Sequence, residues 1–150
     1  MNEAPVILVN GGLTDLDPAT ATLLGTLGTV DARVLGSNAT VSDGIFADVD
    51  DLTIATRLAG PNRYATSQVI NADAFSSADH AFLITGENFP DALAGSAWAG
   101  AEGAPLFASS QACVPAGVLA DLKTLGVTKI TLLGGEPSLS ASVFSLTPCA

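Results

Sequence analysis

Arg57 and Arg63 bracket a Gly-Pro kink in ATRLAGPNRYATSQVI (residues 55–70), and they are two of only five cationic side chains set against fifteen carboxylates. A guanidinium presents a rigid fork of donors that grips a carboxylate, a phosphate or a group of backbone carbonyls. Two such forks at one kink, among Ala, Leu and Tyr, are candidates either for holding an anionic ligand or for pinning the backbone. Cys113 and Cys149 are the two thiols. They lack the spacing of a zinc site, and with one histidine, His80, no such site is expected. As buried residues they would be small core side chains. However, Cys113 lies in the loop-like SSQACVPAG and Cys149 in the Pro-containing SLTPCA. Accessible positions favour a disulfide and an oxidising, extracytoplasmic location.

Catalytic arrangements find little support. GSAWAG (95–100) is not a nucleophile elbow, because Ser96 falls inside an Ala-rich helical pattern rather than between strand and helix. His80 opens a strand, whereas sites in open parallel sheets gather at the strands' carboxyl ends. It is better read as an ordinary surface histidine. The turns ITGENFPDA, VLGSNATVS and LLGGEPSLS contain neither dinucleotide nor P-loop glycine patterns, and Glu87, Asp91 and Glu136 stand where a phosphate would sit. The acidic stretches TDLDP (14–18) and ADVDD (47–51) lack the EF-hand pattern. No catalytic residue, metal or cofactor is expected. Trp98, among alanines, suits a core or subunit contact better than a sugar platform.

Net charge of −10 argues against nucleic acid and anionic membranes, both of which select for clustered Lys and Arg. With 48% hydrophobic residues the chain has ample material for a core, and no apolar run is long enough to cross a bilayer. The start MNEAPVILV is no signal peptide, so an export signal is expected upstream in a parent chain.

These residues must be carried by alternating strands and helices. PVILVNGG (5–12), DARVLGS (31–37), LTIATRLAG (52–60), HAFLITG (80–86), APLFASS (104–110) and KITLLGG (129–135) read as strands. Helices are predicted over 17–28, with Asp17 as N-cap and Pro18 at its first position, and over 62–75, 89–103 and 114–126. Residues 139–146 form a short closing helix, and 41–49 a short helix or turn. Strand followed by helix, repeated, predicts an α/β fold with a parallel sheet and helices on both faces. TLGTVDARVLGSNATVS (26–42) aligns without gaps on TLGVTKITLLGGEPSLS (124–140), a shift of 98 residues. APVILV (4–9) likewise answers APLFAS (104–109). The expected organisation is the C-terminal half of a repeat over 1–55 and a complete repeat over 56–150, as in a modular array.

At TRLAGPNRYATS the chain resembles the cell wall binding repeat 2 family of Gram-positive surface proteins. Its opening pattern, R-[LI]-x-G-x-[DN]-R-[YF]-x-T, is met by Arg57, Gly60, Asn62, Arg63, Tyr64 and Thr66. The Phe-Pro-Asp-Ala segment follows at Phe89, Pro90, Asp91 and Ala92. The Ala-Pro strand runs from Ala104 to Phe107, and the Leu-Gly-Gly segment is ITLLGGEPSLS. Position 62 is Asn where Asp is common.

The resemblance implies Rossmann-like modules, usually three in tandem, that retain a secreted protein at the wall without catalysis. It implies an extracellular, cell wall-associated location. The implied partners are a cell wall polysaccharide or secondary wall polymer, and other repeat modules or a second copy in a homo-oligomer. It makes Arg57, Asn62, Arg63, Tyr64 and Asp91 the candidates for a structural junction or a ligand site, with Asp91 the expected arginine partner. A self-associating structural domain is the alternative, and an α/β hydrolase a weaker one.

Overall fold

The computed structural model describes residues 4–88 and 90–149, so Phe89 of the Phe-Pro-Asp-Ala segment lies outside the described residues. The chain forms two compact units, divided between Ala59 and Gly60.

In the first unit the order is α1 (Pro18–Thr26), β1 (Asp31–Leu35), α2 (Asp43–Leu52) and β2 (Ile54–Leu58). Asp17 caps α1 by accepting from Thr20 N, and Pro18 follows where no intrahelical donor is required. Ser42 caps α2, which is a full ten-residue helix rather than a turn. Strands β1 and β2 pair in parallel, from Asp31 opposite Ile54 to Leu35 opposite Leu58. Leu16, Leu24, Val41, Ile45 and Val49 form the core, and Ala32, Val34 and Ala55 pack against it from the sheet.

The strand expected over 5–12 is not a strand. Ile7 and Val9 pack on the core while Val6 and Leu8 stand exposed, so the alternation of an extended chain is kept. No neighbouring strand hydrogen-bonds to this segment among the described residues. Hydrophobic alternation sets which face is buried; a ladder also needs a partner.

The second unit runs α3 (Arg63–Ala74), β3 (His80–Thr85), α4 (Pro90–Glu102), β4 (Leu106–Ser109), α5 (Ala116–Leu125), β5 (Lys129–Leu133) and α6 (Ala141–Phe144). Its parallel sheet has the order β4-β3-β5. The apolar run AFLI within HAFLIT suits the central strand, which is covered on both faces. Ala81 and Leu83 pack with Phe107, Val114, Val118, Leu122 and Val143 on the α5 and α6 side. Phe82 packs with Ala99 and Ala104 on the α4 side. Phe82 and Phe107 are completely buried, and each contributes about 1.5–3 kcal/mol by transfer from water. A disulfide joins Cys113 to Cys149. It ties the C-terminal segment to the loop before α5, beside the bridge of Val114 to Pro148.

Candidate functional site

Arg57 lies on β2 with its guanidinium turned into the loop between β1 and α2. Nη1 donates to the carbonyls of Gly36 at 3.0 Å and Val41 at 2.8 Å. Nη2 donates to Ser42 O and Asp43 Oδ1, both at 3.3 Å. The ion lies 4.7 Å from the centre of the Phe46 ring. Its side chain is 20% exposed, against 75% for Asp43, so the carbonyls and the ring provide most of the hold. Gly36 makes this socket possible: its φ of 109° turns the chain sharply at the end of β1, a conformation that costs residues with a Cβ far more.

Asn62, Arg63 and Tyr64 open α3 in the second unit. Asn62 is its N-cap, accepting from Ala65 N at 2.9 Å. Arg63 Nη1 donates to Gly86 O at 2.6 Å, in the turn after β3. Tyr64 lies against the same turn: a Cβ on Gly86 would fall 2.7 Å from its ring and force the ring to move. Arg63 and Tyr64 therefore come together at the carboxyl end of β3, with Asn62 capping the helix that carries them.

Asp91 stands elsewhere, in the first turn of α4 facing Gly134. Among the described residues no ion pair joins it to Arg63. Asp91, Ala94, Gly95 and Trp98 of α4 line an open groove of about 270 Å³ with Leu132, Leu133 and Gly134.

His80 is held rather than free. Its Nδ1 lies 2.7 Å from Glu102 Oε2 and its Nε2 2.9 Å from Thr131 Oγ1, with the ring against Phe82. Trp98 packs its ring on Phe82 and donates Nε1–H to Glu102 Oε1 at 2.6 Å. The Trp98 donor, then His80, stabilise the Glu102 carboxylate and hold its pKa below the usual glutamate range. Asp17 is lowered likewise, first by the Thr20 hydroxyl and then by the Thr20 backbone N–H. Asp48 and Asp50 of the acidic stretch accept from Leu16 N and Ala55 N, so these carboxylates serve the backbone. Among the described residues no three His, Cys, Asp or Glu side chains gather as a metal would require.

Asn71 and Ser67 belong to none of the motifs in the sequence. Asn71 is 5% exposed, donates to Leu106 O at 2.8 Å and accepts from Leu106 N, while Ser67 Oγ accepts from Ala108 N. Together they satisfy the outer edge of β4. A polar residue at a core-facing position of α3 was the available signal.

The chain matches the model of the Cell wall binding domain 2 (CWB2) family over residues 57–144. It is 26% identical over 146 residues to the N-acetylmuramoyl-L-alanine amidase LytC of Bacillus subtilis (strain 168), covering 97% of this chain and 29% of LytC. Among solved structures, Cwp6 from Clostridium difficile superposes with a TM-score of 0.79 at 22% identity, over 89% of this chain and 22% of Cwp6. Cwp8 from the same organism gives 0.74 at 26% identity, over 88% of this chain and 23% of Cwp8. The chain thus spans less than a third of the length of each of these relatives.

Proposed function

The chain belongs to the Cell wall binding domain 2 family, and from that premise we propose that it is a non-catalytic module anchoring a secreted protein through the sugar of a wall polymer. Cell wall binding at the bacterial surface follows from the family. The choice of sugar over charge rests on the electrostatics. A net charge of −10 repels an anionic polymer, and the guanidiniums of Arg57 and Arg63 already donate to backbone carbonyls. Neutral hydroxyls, or an anionic polymer bridged by divalent cations, remain the ligands such a surface accepts.

The amidase chemistry of LytC belongs to that protein, of which this chain covers 29%. His80, the one histidine, is engaged by Glu102 and Thr131 on the α4 side of the sheet, which supports a reading without hydrolysis. Residues 1–55 are read as the latter half of a repeat and residues 56–150 as a complete one, supported by the 98-residue correspondence.

Competition on purified Gram-positive walls tests this reading. Soluble neutral wall glycan should release the bound chain, and high salt should not. Release by EDTA would shift the ligand to a cation-bridged anionic polymer. Release by salt alone would refute the sugar reading.

A further inference from the structure

The first unit and the latter half of the second share a set of backbone hydrogen bonds. Thr29 N to Leu24 O recurs as Val127 N to Leu122 O, and Val41 N to Ser37 O as Leu139 N to Gly135 O. Ser42 N to Gly11 O recurs as Ser140 N to Gln111 O. The left-handed glycines Gly28 and Gly36 recur as Gly126 and Gly134. By the same shift, β1 corresponds to β5 and α2 to α6.

One part of the first unit has no counterpart among the described residues of the second. Strand β2 pairs with β1 and sends Arg57 to the carbonyls of Gly36, Val41 and Ser42, while Gly36 N donates to Leu58 O. The equivalent carbonyls are those of Gly134, Leu139 and Ser140. Among the described residues, nothing donates to Gly134 O or Leu139 O, and Gly134 N finds no acceptor. Ser140 Oγ is buried there without a hydrogen-bond partner. Among the described residues, strand β5 pairs with β3 alone. The opposite edge of the sheet is closed, because Asn71 and Ser67 satisfy β4.

The carboxylate differs between the two sockets in an informative way. Asp43, which meets Arg57 in the first unit, corresponds to Ala141. Asp91 supplies a replacement from α4, its Oδ2 lying 2.9 Å from where a Gly134 Cβ would stand. The groove between α4 and β5 leaves room beside it.

We propose that the open edge of β5, with the carbonyls of Gly134, Leu139 and Ser140 and the carboxylate of Asp91, receives the opening strand of another repeat. That strand would be parallel, about five residues long, and carry an arginine at its fourth position, as IATRL does. By the β1–β2 register its first residue lies opposite Lys129 and its arginine opposite Leu132. The arginine fills the socket, the last carbonyl accepts from Gly134 N, and alternate side chains enter the groove beside Trp98. Modules would then be joined by completing one another's sheets. This rests on the internal correspondence and not on wall binding, so either reading can fail alone.

A blocked peptide of residues 52–60, LTIATRLAG, titrated into the full chain is the test, read by the emission of Trp98, the one tryptophan, and by amide shifts. Saturable binding is expected, with shifts centred on β5, Gly134 and Ser140. The peptide with glutamine for arginine should bind about tenfold more weakly or worse, as loss of a charge-assisted hydrogen bond implies. Asp91→Asn protein should weaken binding while keeping its circular dichroism; should it not fold, the peptide pair on the unmodified chain decides alone. Equal binding of both peptides, no saturable change at millimolar peptide, or shifts confined to β1 would overturn the proposal. So would dimerisation through β5 without peptide, which would make a second copy the occupant.

Discussion

Arg57→Ala gives a worked test of whether that arginine holds the fold or waits for a ligand. The substitution removes donors from Gly36 O, Val41 O and Ser42 O. Hydrogen bonds to a charged group contribute about 1.5–3 kcal/mol each, and the two shorter ones set the scale. The ring of Phe46 adds about 0.5–1 kcal/mol. The pair with the exposed Asp43 adds ~0–1 kcal/mol. Allowing for water reaching the freed carbonyls, the loss should be about 3–5 kcal/mol. Arg57→Lys should lose about 1–2 kcal/mol, because one ammonium cannot span the carbonyls as the fork does. Amide exchange at Gly36, whose N–H is bonded to Leu58 O at 2.9 Å, reports the β1–β2 junction directly. Its protection should fall about a hundredfold or more in Arg57→Ala, since each 1.4 kcal/mol is a decade. Unchanged protection at Gly36 combined with lost wall retention would refute the structural role and make Arg57 a ligand contact.

Replacing Cys113 and Cys149 together by serine should lower stability by roughly 4 kcal/mol, the chain-entropy value for a separation of 36 residues. A urea midpoint insensitive to reductant in the parent protein would contradict this. Asn71→Leu should cost about 2–4 kcal/mol in urea unfolding, because it strips the N–H and C=O of Leu106 of their partner while leaving the side chain buried. The lowered pKa values of Glu102 and Asp17 give stability that is complete above their ordinary values of 4.5 and 3.8 and is lost as pH falls below them. Between about pH 6 and about pH 3 the urea midpoint of Glu102→Gln should therefore fall less than that of the parent, and an equal fall would count against the Trp98–Glu102–His80 linkage.

Features fixed locally were legible in the sequence. Asp17 and Pro18 announced the start of α1 through the chemistry of capping. HAFLITG read as a strand, and its run of four apolar residues, AFLI, is the part buried on both faces. Features that depend on a distant partner were not legible. PVILVNGG carries the alternation of a strand, but its pairing depends on which strand lies beside it. The socket for Arg57 consists of backbone carbonyls some fifteen to twenty-one residues away, and carbonyls have no sequence signature. Asp91 was expected opposite an arginine of this chain; in the second unit it faces Gly134 instead. The resemblance supplied residue types and order, and the contacts required coordinates.

The most direct measurement is co-sedimentation with purified Gram-positive walls, before and after chemical stripping of secondary polymers, with the chain alone as reference. The chain should pellet with intact walls, stay soluble by itself, and lose retention when the polymer it binds is removed. A chain that stays in the supernatant of intact walls, or that sediments equally well with no wall present, would contradict wall binding and leave self-association as its function.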